Sequence, residues 1–284
     1  MNTNDLKIFE AVAANGSFTK AAEAMFTVQS NVTARIKALE EEFRTELFTR
    51  TSRKVELTAA GHTLMQYCKQ ISHLVEEAKK NVGSSDLVNG YLKVGCVETT
   101  MALKVPEILS GFAEHYPDVE LEFRSEMRST LINEVLNYKL DAAFVPGPVN
   151  VAELEQINVK EEQLVILIAA KAPKLADLLQ KQPLKIVVFE QGCVYRARLE
   201  SWLSAKGIIH YKSTVLNSIE GIINFVEAGL GVSILPEEII SQYYPGRQII
   251  TYPLNRQLGT INTVLISRKD VPKSGALKAF LDKY

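Results

Sequence analysis

The chain has 284 residues, a formal net charge of -1 and a hydrophobic fraction of 46%, values typical of a globular protein with two or three domains. Its start, MNTNDLKIFE, lacks the basic and apolar regions of an export signal, and runs such as LVILIAA are far shorter than the ~20 apolar residues that span a bilayer. These features argue against a membrane or exported protein and favour a cytoplasmic one.

The distribution of cysteine and histidine gives no reason to expect a metal site, a cofactor or a disulfide framework. Cys68, Cys96 and Cys193 form no CxxC pair, and the four histidines are scattered. The sequence also shows no Ser-His-Asp set and no paired carboxylates. We therefore expect a protein that is not an enzyme.

The first 43 residues predict three short helices. Apolar residues at helical spacing indicate a helix over 4–14, then a second helix that Ser17 caps and that ends near Met25. A third helix is predicted from about Val28 to Phe43. Its buried stripe would consist of Val32, Ile36, Leu39 and Phe43.

A helix, a tight turn and a helix with a polar exposed face form a helix-turn-helix, whose second helix enters the major groove with its N-terminal end first. The residues that we expect at or near base edges are Gln29, Ser30, Asn31 and Thr33. Arg35 and Lys37 are expected to contact phosphates, which position the protein without specifying a sequence.

A short β-wing is predicted next, because Val55 and Leu57 alternate with polar residues. The basic residues that cluster there are Arg50, Arg53 and Lys54. Over residues 1–60 eight basic residues balance eight acidic ones, yet the windows 27–37 and 49–55 contain only basic charges. This pattern suits a DNA duplex, and a three-helix packing module with a solvated charged face is the alternative.

The segments FEAVAANGSFTKAAEAM, QSNVTARIKALEEEF, LFTR and VELTAAG resemble the winged helix-turn-helix of LysR-type transcriptional regulators. The resemblance covers residues 6–61 and continues over the whole chain. It implies a sequence-specific transcriptional regulator that binds double-stranded operator DNA as a homodimer or homotetramer, with RNA polymerase as a candidate further partner.

The sequence departs from the family pattern in two places. Thr33 and Ala34 stand where the family often has Ser-Arg, and Arg35 lies about 100° further around the helix. The operator sequences of other family members should therefore not be assigned to this protein. Arg44 stands where the family often has glycine, and a left-handed cap there costs more with arginine than with glycine.

A long helix is predicted from Ala59 to Asn81, with Thr58 as its N-cap. Its apolar residues are spaced 3, 4, 3 and 4 apart, which predicts a heptad seam for a second subunit; packing on the protein's own domain is the alternative. The seam residues are Leu64, Tyr67, Ile71, Leu74 and Ala78. The polar segment GSSDLVNG, residues 83–90, is interpreted as a hinge.

From Tyr91 onward strands and helices alternate, which predicts an α/β fold with parallel sheets covered by helices. The predicted domains are a DNA-binding head (1–58), a linker helix and hinge (59–89) and an effector-binding domain (90–284). The resemblance implies that the last is a type 2 periplasmic-binding-protein-like domain. Its subdomain I would comprise about 90–162 and 266–284, and its subdomain II about 163–265.

Ligands of open α/β sheets bind at the carboxyl ends of strands, and the motifs there resemble the effector cleft of the family. This resemblance selects Thr99, Thr100, Tyr195 and Arg196 first, and Arg128 and Ser129 second. The arginines and the helix N-termini indicate a small anionic effector. Glu98, Glu126 and Glu220 leave an amine-bearing ligand open.

Cys193 occupies the place where the peroxide-sensing branch of this family carries its reactive thiol. The expected partner cysteine is absent, and Ser201 and Trp202 occupy that region. A redox-sensing regulator that acts through Cys193 is therefore one alternative, and a cytoplasmic small-molecule-binding protein is the other.

Overall fold

The computed structural model describes residues 1–50, 54–81, 88–180 and 183–284. The chain divides into two compact units, Met1–Ser84 and Ser85–Tyr284. Most of the predicted hinge at 83–90 lies outside the described residues. Within the described ranges, no helix is both long enough and apolar enough to cross a membrane.

The first unit is a three-helix head with a two-stranded antiparallel wing and a long helix. Its elements are α1 (Thr3–Asn15), α2 (Phe18–Ala24), α3 (Gln29–Phe43), β1 (Phe48–Arg50), β2 (Val55–Leu57) and α4 (Ala59–Asn81). The predicted helix-turn-helix is therefore α2 and α3, and the predicted wing is β1 and β2.

The local signals that end one helix and begin the next are confirmed. Gly16 is left-handed, with φ 60°, and its N–H donates to the Val12 carbonyl. The Ser17 hydroxyl accepts from the Lys20 N–H at the start of α2. Glycine adopts this left-handed conformation at low cost, and a serine cap satisfies one of the unpaired N–H groups of a helix start.

The buried stripe of α3 is confirmed for Val32, Ile36 and Leu39 and is wrong for Phe43, which is 42% exposed. Phe43 is the last residue of α3, and the core of the head continues with Leu47 and Phe48, which follow it in the chain. The Glu40 carboxylate accepts from the Leu47 N–H at 2.9 Å, so α3 also fixes the start of the wing.

The predicted seam of α4 is divided between two faces. Leu64 is buried in the core of the head and Ile71 packs against that core, whereas Tyr67 and Leu74 are 57% and 43% exposed. The single five-residue seam is therefore wrong, because two of its members serve their own domain. The predicted cap is confirmed, since the Thr58 hydroxyl accepts from the Gly61 N–H at 3.0 Å.

The second unit begins with a βα-type lobe that includes a helix from the end of the chain. The elements of this first lobe are β3 (Gly90–Cys96), α5 (Glu98–Leu103), α6 (Val105–His115), β4 (Val119–Ser125), α7 (Arg128–Leu136), β5 (Ala142–Pro146) and α12 (Gly275–Leu281). The helical run from Glu98 to His115 is divided into α5 and α6. It breaks at Lys104, and Pro106, which has no N–H to donate, lies in the first turn of α6.

The second lobe contains a small parallel pair of strands and several short helices. Its elements are α8 (Leu175–Leu179), β7 (Leu184–Val188), α9 (Val194–Ala205), β8 (Tyr211–Val215), α10 (Ile219–Glu227), β9 (Ser233–Pro236), a π-helical turn (Ile239–Tyr243), β10 (Ile249–Pro253) and α11 (Arg256–Gly259). Two strands, β6 (Leu154–Ala169) and β11 (Thr260–Arg268), run between the lobes.

The main sheet is mixed, and the prediction of parallel sheets is corrected accordingly. Its order is β10-β6-β11-β5-β3-β4, with β9 also paired to β6. Strand β3 is parallel to both neighbours, whereas β6 and β11 are antiparallel to each other. Because β6 pairs with β11 in its first half and with β9 and β10 in its second, one strand belongs to both lobes.

Candidate functional site

The N-terminal end of α3 presents polar side chains to solvent. Gln29 and Ser30 are exposed, whereas Asn31 and Thr33 are partly buried. The Asn31 amide donates to the Thr27 hydroxyl at 3.0 Å, and the Thr33 hydroxyl donates to the Gln29 carbonyl at 2.9 Å. Gln29 and Ser30 thus have the freer side chains of the four predicted base-reading residues.

The predicted phosphate contacts lie beside acids of their own domain. Arg35 Nη1 lies 3.2 Å from a carboxylate oxygen of the buried Asp5, which joins α3 to α1. Lys37 lies 3.7 Å from Glu41, and Lys54 lies 3.4 Å from Glu56. Exposed pairs of this kind are weak, so both lysines can exchange an acid for a phosphate. Arg53 and the side chain of Arg50 lie outside the described residues.

A cleft of about 280 Å³ lies between the two lobes of the second unit, at the carboxyl ends of β3, β4, β5 and β7. Its wall mixes apolar side chains with three carboxylates and one arginine. The lining residues are Val97, Glu98, Thr99, Ser125, Glu126, Met127, Arg128, Pro146, Phe189, Glu190, Gly192, Cys193, Val194, Tyr195 and Asn217.

Three of the six predicted effector residues line this cleft: Thr99, Arg128 and Tyr195. Arg196 lines an adjoining cavity of about 360 Å³ that shares Arg128 and Cys193 with the first. Neither cavity includes Thr100 or Ser129 in its wall. Successive helix residues point about 100° apart, so the neighbours Thr99 and Arg128 take the inward positions instead.

A buried hydrogen-bond network extends from the cleft wall into the protein. The Thr99 hydroxyl lies 2.8 Å from the Tyr195 hydroxyl, which donates to Glu162 at 3.5 Å. The other oxygen of Glu162 accepts from the Thr263 hydroxyl at 2.8 Å. Burial raises the pKa of Glu162, and it also raises the pKa of Tyr195 well above its ordinary value. This network joins α5, α9, β6 and β11.

A second contact between the lobes lies at the cleft wall. A Glu98 carboxylate oxygen accepts from the Ile219 N–H at 3.0 Å, at the start of α10. Burial raises the pKa of Glu98. Glu220, also considered from the sequence, pairs instead with Arg247 at 2.8 Å.

Both predicted arginines already have partners within the protein. Arg128 donates to the Pro146 carbonyl at 2.7 Å and to the Pro148 carbonyl at 2.8 Å. Arg196 Nε donates to Glu200 at 2.9 Å. Arg128 therefore brings positive charge to the cleft while it holds the loop after β5 in place.

Cys193 is the N-cap residue of α9 and is half-buried. Burial raises the pKa of its thiol, against the lowering effect of nearby N–H groups and of Arg196. A raised pKa leaves less thiolate, the reactive form. The environment therefore disfavours a redox role for this residue.

Sequence reasoning misses two parts of this site. Phe189, Glu190 and Asn217 line the cleft from loops that follow β7 and β8, where no periodic pattern exists. Glu162 lies within β6, where the sequence indicates only a subdomain boundary. The available signal is that Glu162 is an acidic residue just before the apolar second half of the strand.

Two family models match the chain. Residues 3–62 match the bacterial regulatory helix-turn-helix protein, lysR family, and residues 85–283 match the LysR substrate binding domain. An uncharacterised HTH-type transcriptional regulator, YusT, of Bacillus subtilis (strain 168) is 38% identical over 100% of this chain and 95% of its own length. The HTH-type transcriptional regulator CzcR of Bacillus cereus is 37% identical over 99% of this chain and 96% of its own length.

Solved structures of whole regulators share the fold. A cysteine-to-aspartate variant of full-length OxyR from Pseudomonas aeruginosa aligns with a TM-score of 0.71 and 22% identity, over 99% of this chain and 94% of that one. Full-length CbnR in complex with its target DNA aligns with a TM-score of 0.69 and 21% identity, over 99% and 98%.

Proposed function

The chain belongs to the LysR family of DNA-binding transcriptional regulators, and on that basis we propose that it couples operator binding by its head to a small anionic effector in the cleft between its two lobes. The observation that carries the effector half of this proposal is the cleft itself, lined by Arg128 and by the first residues of α7 and α9. An effector that prefers one geometry of the DNA-bound protein shifts its population.

The head contacts DNA through two surfaces in this proposal. Gln29 and Ser30, exposed at the start of α3, read base edges. Lys37 and Lys54 exchange their weak acid partners for phosphates. Gln29→Ala should relax specificity at one base position, whereas Lys37→Ala should weaken binding to all sequences and reduce its salt dependence. Equal losses on specific and random DNA for Gln29→Ala would refute the base-reading role.

The anionic character of the effector is supported by two helix starts. Met127 and Cys193 are the N-cap residues of α7 and α9, neither caps its helix through a side chain, and both line the cleft. N–H groups at a helix start attract negative charge. Because Glu98, Glu126 and Glu190 also line the cleft, a ligand that carries an amine beside its anionic group fits the same wall.

A panel of small metabolites in matched carboxylate and amide forms tests this. A ligand that binds only the folded protein raises the melting temperature by mass action, and we expect the carboxylates to do so and the amides not. Cys193→Asp places a carboxylate at the start of α9 and should abolish that shift, with Cys193→Asn as its neutral control. Stabilisation by amides alone would contradict the anionic assignment and leave DNA binding untouched.

Dimerisation through α4 completes the proposal. Tyr67, Leu74 and Ala78 are exposed apolar residues of α4. Other apolar residues of this helix, such as Leu64 and Ile71, pack on the head. A narrow stripe of this kind suits a partner helix. Leu74→Lys should lower the mass found by sedimentation, whereas His62→Lys, about 120° away around the helix, should not. An unchanged mass for Leu74→Lys would place the subunit contact elsewhere.

A further inference from the structure

Phe26, in the turn between α2 and α3, is 99% exposed. Its side chain therefore contributes nothing to the core of the head. A fully exposed aromatic ring gains no burial energy in the folded head, so any contribution that Phe26 makes is to a contact outside it.

The backbone at Phe26 makes the choice of residue more unusual. Phe26 has φ 51°, in the left-handed region. Its N–H donates to the Glu23 carbonyl and the Thr27 N–H donates to the Ala22 carbonyl, the pattern of a helix end in which glycine is preferred. Arg44 ends α3 in the same way, but a charged side chain there is ordinary surface. At Phe26 the chain carries both a strained backbone and an exposed apolar ring.

The position of Phe26 selects the partner. It lies three residues before Gln29, and Val28 between them is 65% exposed. The two apolar side chains thus adjoin the polar end of α3 that enters the major groove in a helix-turn-helix. In that groove the apolar feature of the bases is the 5-methyl group of thymine, which phenylalanine contacts in other complexes.

We propose that Phe26 is a specificity-determining residue that packs on the methyl group of a thymine in the operator, an inference that rests on the proposed DNA-binding role of α3. The turn, rather than the helix alone, then reads one base of each half-site. Phe26 would select thymine over cytosine at that base.

Deoxyuridine provides the test, since it differs from thymidine in the base only by the missing methyl group. The full-length protein first selects its binding sequence from random duplexes, and each thymine of that sequence is then replaced in turn. One replacement should weaken wild-type binding about fourfold, the effect of withdrawing one buried methyl group. Phe26→Ala should bind the thymine duplex more weakly and be indifferent to that replacement.

Phe43→Ala is the matched control, because Phe43 is also an exposed phenylalanine of the head but lies at the far end of α3; it should keep the full thymine effect. Phe26→Gly relieves the left-handed backbone and should raise the melting temperature while it loses the thymine effect, so a loss of binding cannot be ascribed to misfolding. If Phe26→Ala and Phe26→Gly keep the wild-type ratio, or lose self-association instead, the inference is overturned. If no sequence is selected at all, the proposed DNA binding itself fails.

Discussion

The hydroxyls of Thr99 and Tyr195 lie 2.8 Å apart in a buried contact that bridges the two lobes. Thr99 follows β3 and Tyr195 follows β7, so each comes from the carboxyl end of a strand. The same tyrosine reaches Glu162 on the strand that both lobes share. A ligand that changes the angle between the lobes must stretch or tighten this contact.

Removal of this contact should weaken the second unit. Tyr195→Phe leaves the buried Thr99 hydroxyl without that partner and should lower the free energy of unfolding by about 1–3 kcal/mol. Trp202, the only tryptophan of the chain and a core residue of this unit, reports the transition by fluorescence. The double variant with Thr99→Val should lose less than the sum of the single variants, and strict additivity would show that the two hydroxyls do not interact.

Glu162 should make the second unit less stable as the pH rises. Burial raises its pKa in the folded state, so the folded protein binds the proton more tightly than the unfolded chain does. Stability is then greatest below the ordinary glutamate value of 4.5 and falls as the pH rises from there through the folded-state pKa.

Glu162→Gln, which keeps an acceptor for Thr263, isolates this effect. The variant should become more stable than the wild type as the pH rises from about 4.5 towards neutrality, when both are unfolded in urea and followed by Trp202 fluorescence. The contribution of carboxylates that do not interact with Glu162 cancels in the difference between the two curves, which leaves that of Glu162 and of its neighbour Glu238. A difference that is constant with pH would contradict the raised pKa.

Elements whose signal is local are predictable from the sequence. The helix caps at Ser17 and Thr58 and the helix end at Gly16 follow from single residue types and occur in the structure. The left-handed backbone of Arg44 follows instead from the glycine that the family often has at this position. Sheet order is not predictable in this way, because the pairing of β6 with β11 joins residues that are more than 90 positions apart in the chain. The split seam of α4 has the same cause: heptad spacing identifies apolar positions but not which surface covers each one.

The residues of the cleft also divide into those that the sequence predicts and those that it does not. The rule that ligands bind at strand ends locates Thr99, Arg128 and Tyr195 correctly on its wall. It cannot distinguish Thr99 from Thr100, because a one-residue difference in helix phase decides which of them faces inward. Loop residues such as Phe189 and Asn217 reach the cleft through the packing of the two lobes, which no sequence pattern encodes.

Gly61 should not tolerate a side chain. It lies in the first turn of α4, and a Cβ atom built there would lie 2.2 Å from the Leu47 carbonyl oxygen and 2.9 Å from a Leu57 methyl group. Gly61→Ala should therefore destabilise the head by about 1–3 kcal/mol, as overpacking does. Hydrogen exchange of the amides in α1 and α3 measures this. Gly275→Ala, where a Cβ atom would meet nothing within 4 Å, should leave the protein's stability unchanged.

Cys193 should be a slow thiol rather than a peroxide sensor. Burial raises its pKa, so little thiolate exists at neutral pH and alkylation should speed up only as the pH rises. Peroxide at neutral pH should leave DNA binding unchanged in the wild type and in Cys193→Ser alike. A peroxide effect on DNA binding that the serine variant lacks would restore the redox alternative.

Arg44→Gly should stabilise the end of α3. Arg44 has φ 52° and ψ 37°, its N–H donates to the Glu41 carbonyl, and the Thr45 N–H donates to the Glu40 carbonyl. An L-residue pays about 1–2 kcal/mol in this conformation and glycine does not. Part of this gain is offset by the greater freedom of glycine in the unfolded chain, so a net increase of about 1 kcal/mol is expected. The increase should appear as slower hydrogen exchange of the last amides of α3. Arg44→Ala, which keeps the Cβ atom, should show no such slowing. Equal exchange in all three proteins would mean that the left-handed conformation of Arg44 does not destabilise the head.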